Sequence, residues 1–65
     1  MCESTVYVVS GSEKKLVMAE VARIIVDGEN VICVDTLGER RTIDHSRISE
    51  ANLVKHEIIL RPTES

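Results

Sequence analysis

At 65 residues with a net charge of −3 and a pI near 5.2, the chain has room for one small domain and no electrostatic pull towards a phosphate backbone. No apolar run approaches the roughly 20 residues of a membrane span. The hydrophobic fraction, 43%, is dominated by Val, Ile and Leu, with Tyr7 the only aromatic, so β-branched residues must fill the core, and they favour strands.

In chain order, Thr5-Val6-Tyr7-Val8-Val9 reads as a strand closed by the turn signal Ser10-Gly11-Ser12. Lys14 to Met18 returns beside it, with a helical turn at Met18-Ala19-Glu20 as a rival reading. Val21 to Val26 and Val31 to Thr36, joined by Asp27-Gly28-Glu29-Asn30, form the clearest element, a hairpin. The Asp-Gly step supplies the positive φ that a tight hairpin turn requires. Leu37-Gly38-Glu39-Arg40 is a second turn, and Arg41-Thr42-Ile43 a short strand. After the polar break Asp44-His45-Ser46, Arg47 to Leu53 fits a strand, with a short helix from Ser49 as its rival. Val54 to Glu57 turns the chain, and Ile58 to Arg61 is a last strand ended by Pro62.

Strands this short, with turn signals every eight to twelve residues, predict an all-β fold: a small single-domain barrel-like sheet of SH3-like size, built from about six short antiparallel strands. The domain spans residues 1–61 and leaves 62–65 as a tail. Ile24-Ile25-Val26 and Val31-Ile32-Cys33-Val34 are apolar at consecutive positions, so both faces of the sheet carry hydrophobic groups. A second copy of the chain is the economical cover for the outer face, which predicts a homodimer.

The titratable groups do not suggest an enzyme. Asp44-His45-Ser46 holds the letters of a catalytic triad, but adjacent residues cannot converge as a triad must, and a polar turn explains them. His56 reads as a turn histidine. Gly11, Gly28 and Gly38 are too far apart for a phosphate loop. Lys14-Lys15 and Arg40-Arg41 with Arg47 could make a basic patch, but a single-strand binder also needs aromatic platforms, so solvated turn charges are the better account and no nucleic-acid partner is expected.

Metal binding is the remaining class. Cys33 lies inside an apolar run and reads as a buried structural thiol. Cys2 precedes the first strand, where access favours reactivity. Its thiolate and its own backbone nitrogen can close one chelate ring, and the amine of a retained Met1 can close a second. Nitrogen and thiolate donors in a plane suit Ni(II) or Cu(II) better than zinc. One chain offers two or three such donors, so two chains meeting at an axis would complete a set. With no basic region leading into a hydrophobic segment at the N-terminus, the expected compartment is the cytoplasm, where thiols stay reduced.

The opening Met1-Cys2, the Val-rich strand after it, and Leu16-Val17-Met18-Ala19-Glu20-Val21 resemble the CooT family of small nickel-binding proteins, also labelled predicted RNA-binding proteins. The stretches Val34-Asp35-Thr36-Leu37-Gly38-Glu39 and Leu53-Val54-Lys55-His56-Glu57-Ile58-Ile59-Leu60 extend the resemblance along the chain. It implies a small β-rich homodimer, a Ni(II) site at the dimer interface using Cys2, and delivery or storage of nickel for a client enzyme of the carbon monoxide dehydrogenase type. It does not extend a ligand role to Cys33, His45 or His56. The rival from another class is a small β-barrel module binding RNA or protein, with Cys2 incidental.

Overall fold

The computed structural model describes residues 3–63. They form one six-stranded sheet: β1 (Ser4–Ser10), β2 (Glu13–Asp27), β3 (Asn30–Asp35), β4 (Arg40–Ile43), β5 (Ser46–Asn52) and β6 (Glu57–Pro62). The strand order is β4-β3-β2-β1-β6-β5. Four ladders are antiparallel, and β1 lies parallel to β6, so the first and last strands start at the same end. The all-β barrel-like expectation is met, with this one parallel pairing as the departure from an all-antiparallel scheme.

The second departure is β2, which runs unbroken for 15 residues. No helical turn forms at Met18-Ala19-Glu20. Glu20 instead adopts a positive φ of 56°, and the register against β1 shifts between Met18 and Val21. A bulge there bends the strand more sharply than pleating allows. The first half of β2 pairs with β1 and the second half with β3. Both flanking hairpins turn on two residues with positive φ at the first: Gly11 and Gly28, each at 62°. That is the type II′ pattern, whose twist matches the strands it joins.

The rival helix at Ser49 is also absent, because β5 pairs with β6 throughout, with a bulge between Ile48 and Glu50. At the far end β6 extends one residue past Arg61. Pro62 has no N–H to give, and the next N–H, from Thr63, reaches the His45 carbonyl at 2.8 Å.

The concave face holds the core. Val6, Val21, Val31, Cys33 and Leu60 are buried, and Val8, Val17, Met18, Ile24, Ile43 and Ile58 pack against them. Bending of β2 brings its hairpin towards β5, where the Ser46 N–H donates to the Glu29 carbonyl at 2.7 Å. Arg41 adds a strap across the core. It stands opposite Cys33 on the neighbouring strand, and its Nη1 donates to the Val17 carbonyl at 2.7 Å.

Hydrophobic groups also occupy the outer face, as the consecutive apolar positions imply. Tyr7 pairs with Leu16 and Ile59, and Ile25 with Ile32; Leu16 is 61% exposed and the others half-buried.

Candidate functional site

The N-terminal end of the barrel is organised by β1, which has a neighbour on each side. Ser4 pairs with Val21 of β2, and the Thr5 N–H donates to the His56 carbonyl at 2.9 Å. His56 sits at the base of the β5–β6 turn with φ 57°, a left-handed conformation that aims its carbonyl back at β1. Met1 and Cys2, the residues expected to carry the chemistry, lie outside the described residues. Ser4, two residues from Cys2, is held in the sheet by its pairing with Val21, and two residues of chain reach at most about 7 Å.

An open groove of about 230 Å³ begins at that point. Ser4, Val21, Ala22, Arg23, Ile24 and Ile58 line it, so its walls are the start of β1, the bend of β2 and the start of β6. Beside it stands the β5–β6 turn, whose Leu53 and Val54 are 78% and 89% exposed. Asn52 fixes this turn: its Oδ1 accepts the N–H groups of Val54 at 3.2 Å and Lys55 at 3.0 Å. Nothing in the hydropathy pattern separates Leu53-Val54 from a core pair, and the groove exists only because β2 bends. Asn52 just ahead of the turn was the available clue, since Asn side chains nucleate turns of this kind.

The remaining sequence candidates are dispersed. Cys33 is buried, as expected of a structural thiol. Burial pushes its thiol above the ordinary value, and the Arg41 guanidinium draws it part of the way back. A protonated thiol in the core is a poor metal ligand. His45 is a turn residue with φ 54°, its Nδ1 3.6 Å from Glu29 Oε1 at the surface. Among the described residues no three His, Cys, Asp or Glu side chains gather as a metal site would require. Arg40 and Arg41 part company: Arg41 is the strap over the core, while Arg40 pairs with Val34. Lys14 stands 4.4 Å above the Tyr7 ring and 3.9 Å from Glu57. No helix among the described residues is long and apolar enough to cross a membrane.

Residues 1–61 match the family model described as CO dehydrogenase accessory protein CooT. The chain belongs to this family. The fold agrees: a crystal structure assigned as CooT, from Carboxydothermus hydrogenoformans, superimposes with a TM-score of 0.85 at 27% identity, covering 97% of this chain and all of that one. A curated relative from Archaeoglobus fulgidus, whose name states no function, is 46% identical over 43 residues, or 66% of this chain and 93% of its own length. The family is thus one of accessory proteins for CO dehydrogenase, and its model spans Met1 and Cys2 as well as the barrel.

Proposed function

We propose that this chain is a nickel-binding accessory protein that stores Ni(II) or delivers it to a maturing nickel enzyme of the carbon monoxide dehydrogenase type. In this reading Cys2 supplies a thiolate, and the nitrogen at Met1 or Cys2 a second donor. Two chains meet as a cytoplasmic homodimer to complete the set. Nickel is cargo here and the chain is no catalyst.

Membership of the CooT family over residues 1–61 carries the reading. Chemistry supports it. Thiolate and nitrogen donors in five-membered chelate rings suit a planar Ni(II) centre. Ser4 and Thr5 are tied to strands on both sides, so the donors are attached to a fixed point of the barrel.

The test is a Ni(II) titration of the protein with a native N-terminus, followed by absorbance in the thiolate-to-nickel charge-transfer region. Wild type develops the band and Cys2→Ser does not. Equal binding by both proteins removes Cys2 from the site. Intact mass decides between the nitrogen donors, because retained Met1 makes the Cys2 nitrogen a peptide amide.

A further inference from the structure

Arg47 and Arg61 are direct partners in the β5–β6 ladder, so their side chains leave the sheet on one face, with Cβ atoms about 5 Å apart. Leu60, just before Arg61, is in the core, which makes that face the outer one. Both arginines are exposed, and neither forms an ion pair among the described residues. Glu50 stands opposite Ile59, the previous outward position of β6, and is engaged with neither. Like charges directly opposite one another weaken a ladder. In a chain of net charge −3, this corner is a local excess of positive charge held at a cost. The surface beside it is apolar: Ile59 pairs with Tyr7, and Tyr7 with Leu16.

We propose that this corner docks the client protein, whose carboxylates seat between Arg47 and Arg61 while its aliphatic side chains cover Ile59 and Tyr7. Charge complementarity identifies the occupant as an acidic surface, and the apolar row beside the arginines identifies a protein rather than a phosphate backbone. Lys14 excludes a nucleic acid on two counts. Its ammonium lies over the Tyr7 ring at 4.4 Å, which covers the one aromatic platform, and it is turned to Glu57 at 3.9 Å instead of extending the cationic row.

The identity of the docked protein rests on the delivery role proposed above. The two tasks occupy opposite ends of the sheet. Thr5 pairs with Glu57 at the start of β6, and Arg61 lies four residues further on, about 13 Å along the strand. A second copy that meets the first at the Cys2 end leaves the arginine end open. That part of the outer face therefore takes a different cover from the second copy expected of it.

The experiment titrates the nickel-loaded full chain onto nickel-free CO dehydrogenase from the same organism, by calorimetry at several salt concentrations. Wild type should bind, with affinity falling as salt rises. The Arg47→Gln, Arg61→Gln double variant should bind tenfold or more weakly and keep its nickel charge-transfer band, while Arg40→Gln, another exposed arginine, should bind like wild type. Thermal unfolding of the free chain supplies an independent readout. Arg61→Glu makes the pair attractive, so it should raise the transition temperature by roughly 1–8 °C while abolishing docking. Equal binding by the double variant overturns the corner, as does an Arg61→Glu variant no more stable than wild type. A chain that binds nickel but not the enzyme overturns the docking and leaves the nickel protein standing; one that docks through the arginines but binds no nickel does the reverse. Tighter binding of a 12-nucleotide oligouridylate than of the enzyme reassigns the corner to nucleic acid. If deleting Glu64 and Ser65 lowers the transition temperature, and Arg47→Gln abolishes that loss, the chain's own tail fills the corner and the proposal falls.

Discussion

Replacing Leu60 by Ala tests whether one small concave core holds the sheet together. Leu60 is fully buried, and its cross-strand neighbours are Val8 on β1 and Ile48 on β5. It joins the strand at the middle of the sheet to the strand at its edge. Losing three buried carbon atoms removes the transfer free energy of those groups and leaves a void, together about 2–5 kcal/mol in well-packed cores. The strand that carries Leu60, β6, is pinned by ladders on both sides, so little collapse is available and a value near ~3 kcal/mol is expected. A core in a chain of this size contributes only about 3–5 kcal/mol net, so this one change removes most of the stability. The transition temperature should fall by roughly 12–24 °C, at 4–8 °C per kcal/mol. Urea and thermal unfolding by circular dichroism at fixed protein concentration provide the readout, because a dimer's midpoint depends on concentration. Leu16→Ala, at 61% exposure, is the control and should cost less than about 1 kcal/mol. If Leu60→Ala lost no more than Leu16→Ala, the concave cluster would not be the core.

The Gly28→Ala variant should lose about 1 kcal/mol and keep its fold, since the added methyl meets open space while φ stays at 62°; an unchanged urea midpoint would show that the hairpin turn relaxes without cost. Asp35→Ala should lose about 1 kcal/mol, because the Asp35 carboxylate accepts the N–H groups of Leu37 at 2.9 Å and Glu39 at 2.8 Å, and slower amide exchange at Leu37 in the variant would contradict that role. Cys33 makes stability fall at high pH. Its folded thiol titrates above the ordinary cysteine value, so its contribution is whole below that ordinary value and is lost as pH rises through the folded one; Cys33→Ala should unfold with a flatter alkaline slope, and an identical slope refutes the assignment. Nickel affinity should weaken as pH falls below neutrality, because protons compete for the Cys2 thiolate, whose ordinary pKa is about 8.5; affinity flat from neutral to mildly acidic pH would exclude thiolate ligation.

The elements that local chemistry dictates were legible in the sequence. Asp27-Gly28 between β-branched runs specified the β2–β3 hairpin, and it forms with Gly28 at the positive φ the step allows. Consecutive apolar residues in β3 foretold hydrophobic groups on both faces, and Val31 and Cys33 line the core while Ile32 faces out. Two helical alternatives looked plausible because propensity sees only neighbours. At Glu20 and Ser49 the ladders on either side outweigh it, and each position becomes a bulge. The Arg41 strap was hidden for a different reason: Val17 lies 24 residues away, and only the bend of β2 brings its carbonyl within reach. The same bend makes the groove, so no local pattern announced it.

A chain terminus is ordinarily a poor place for a precise ligand, because fraying there costs little. This fold removes the difficulty by placing its first strand in the interior of the sheet. With β2 on one edge and β6 on the other, β1 cannot peel away without breaking two ladders at once. The parallel pairing matters here. Because β1 and β6 start at the same end, the turn before β6 lies beside the beginning of β1, and His56 closes it with a bond to Thr5. An antiparallel β6 would have placed the C-terminal end of the chain there instead. The feature that departs from the sequence expectation is therefore the one that sets the Leu53-Val54 turn, the groove and the attachment point of Cys2 at one end of the molecule. Variants that loosen this end without touching Cys2, such as His56→Pro, should weaken nickel binding through position alone. Their charge-transfer band should keep its energy while its titration midpoint moves to higher nickel, and a shifted band would mean that the donors themselves had changed.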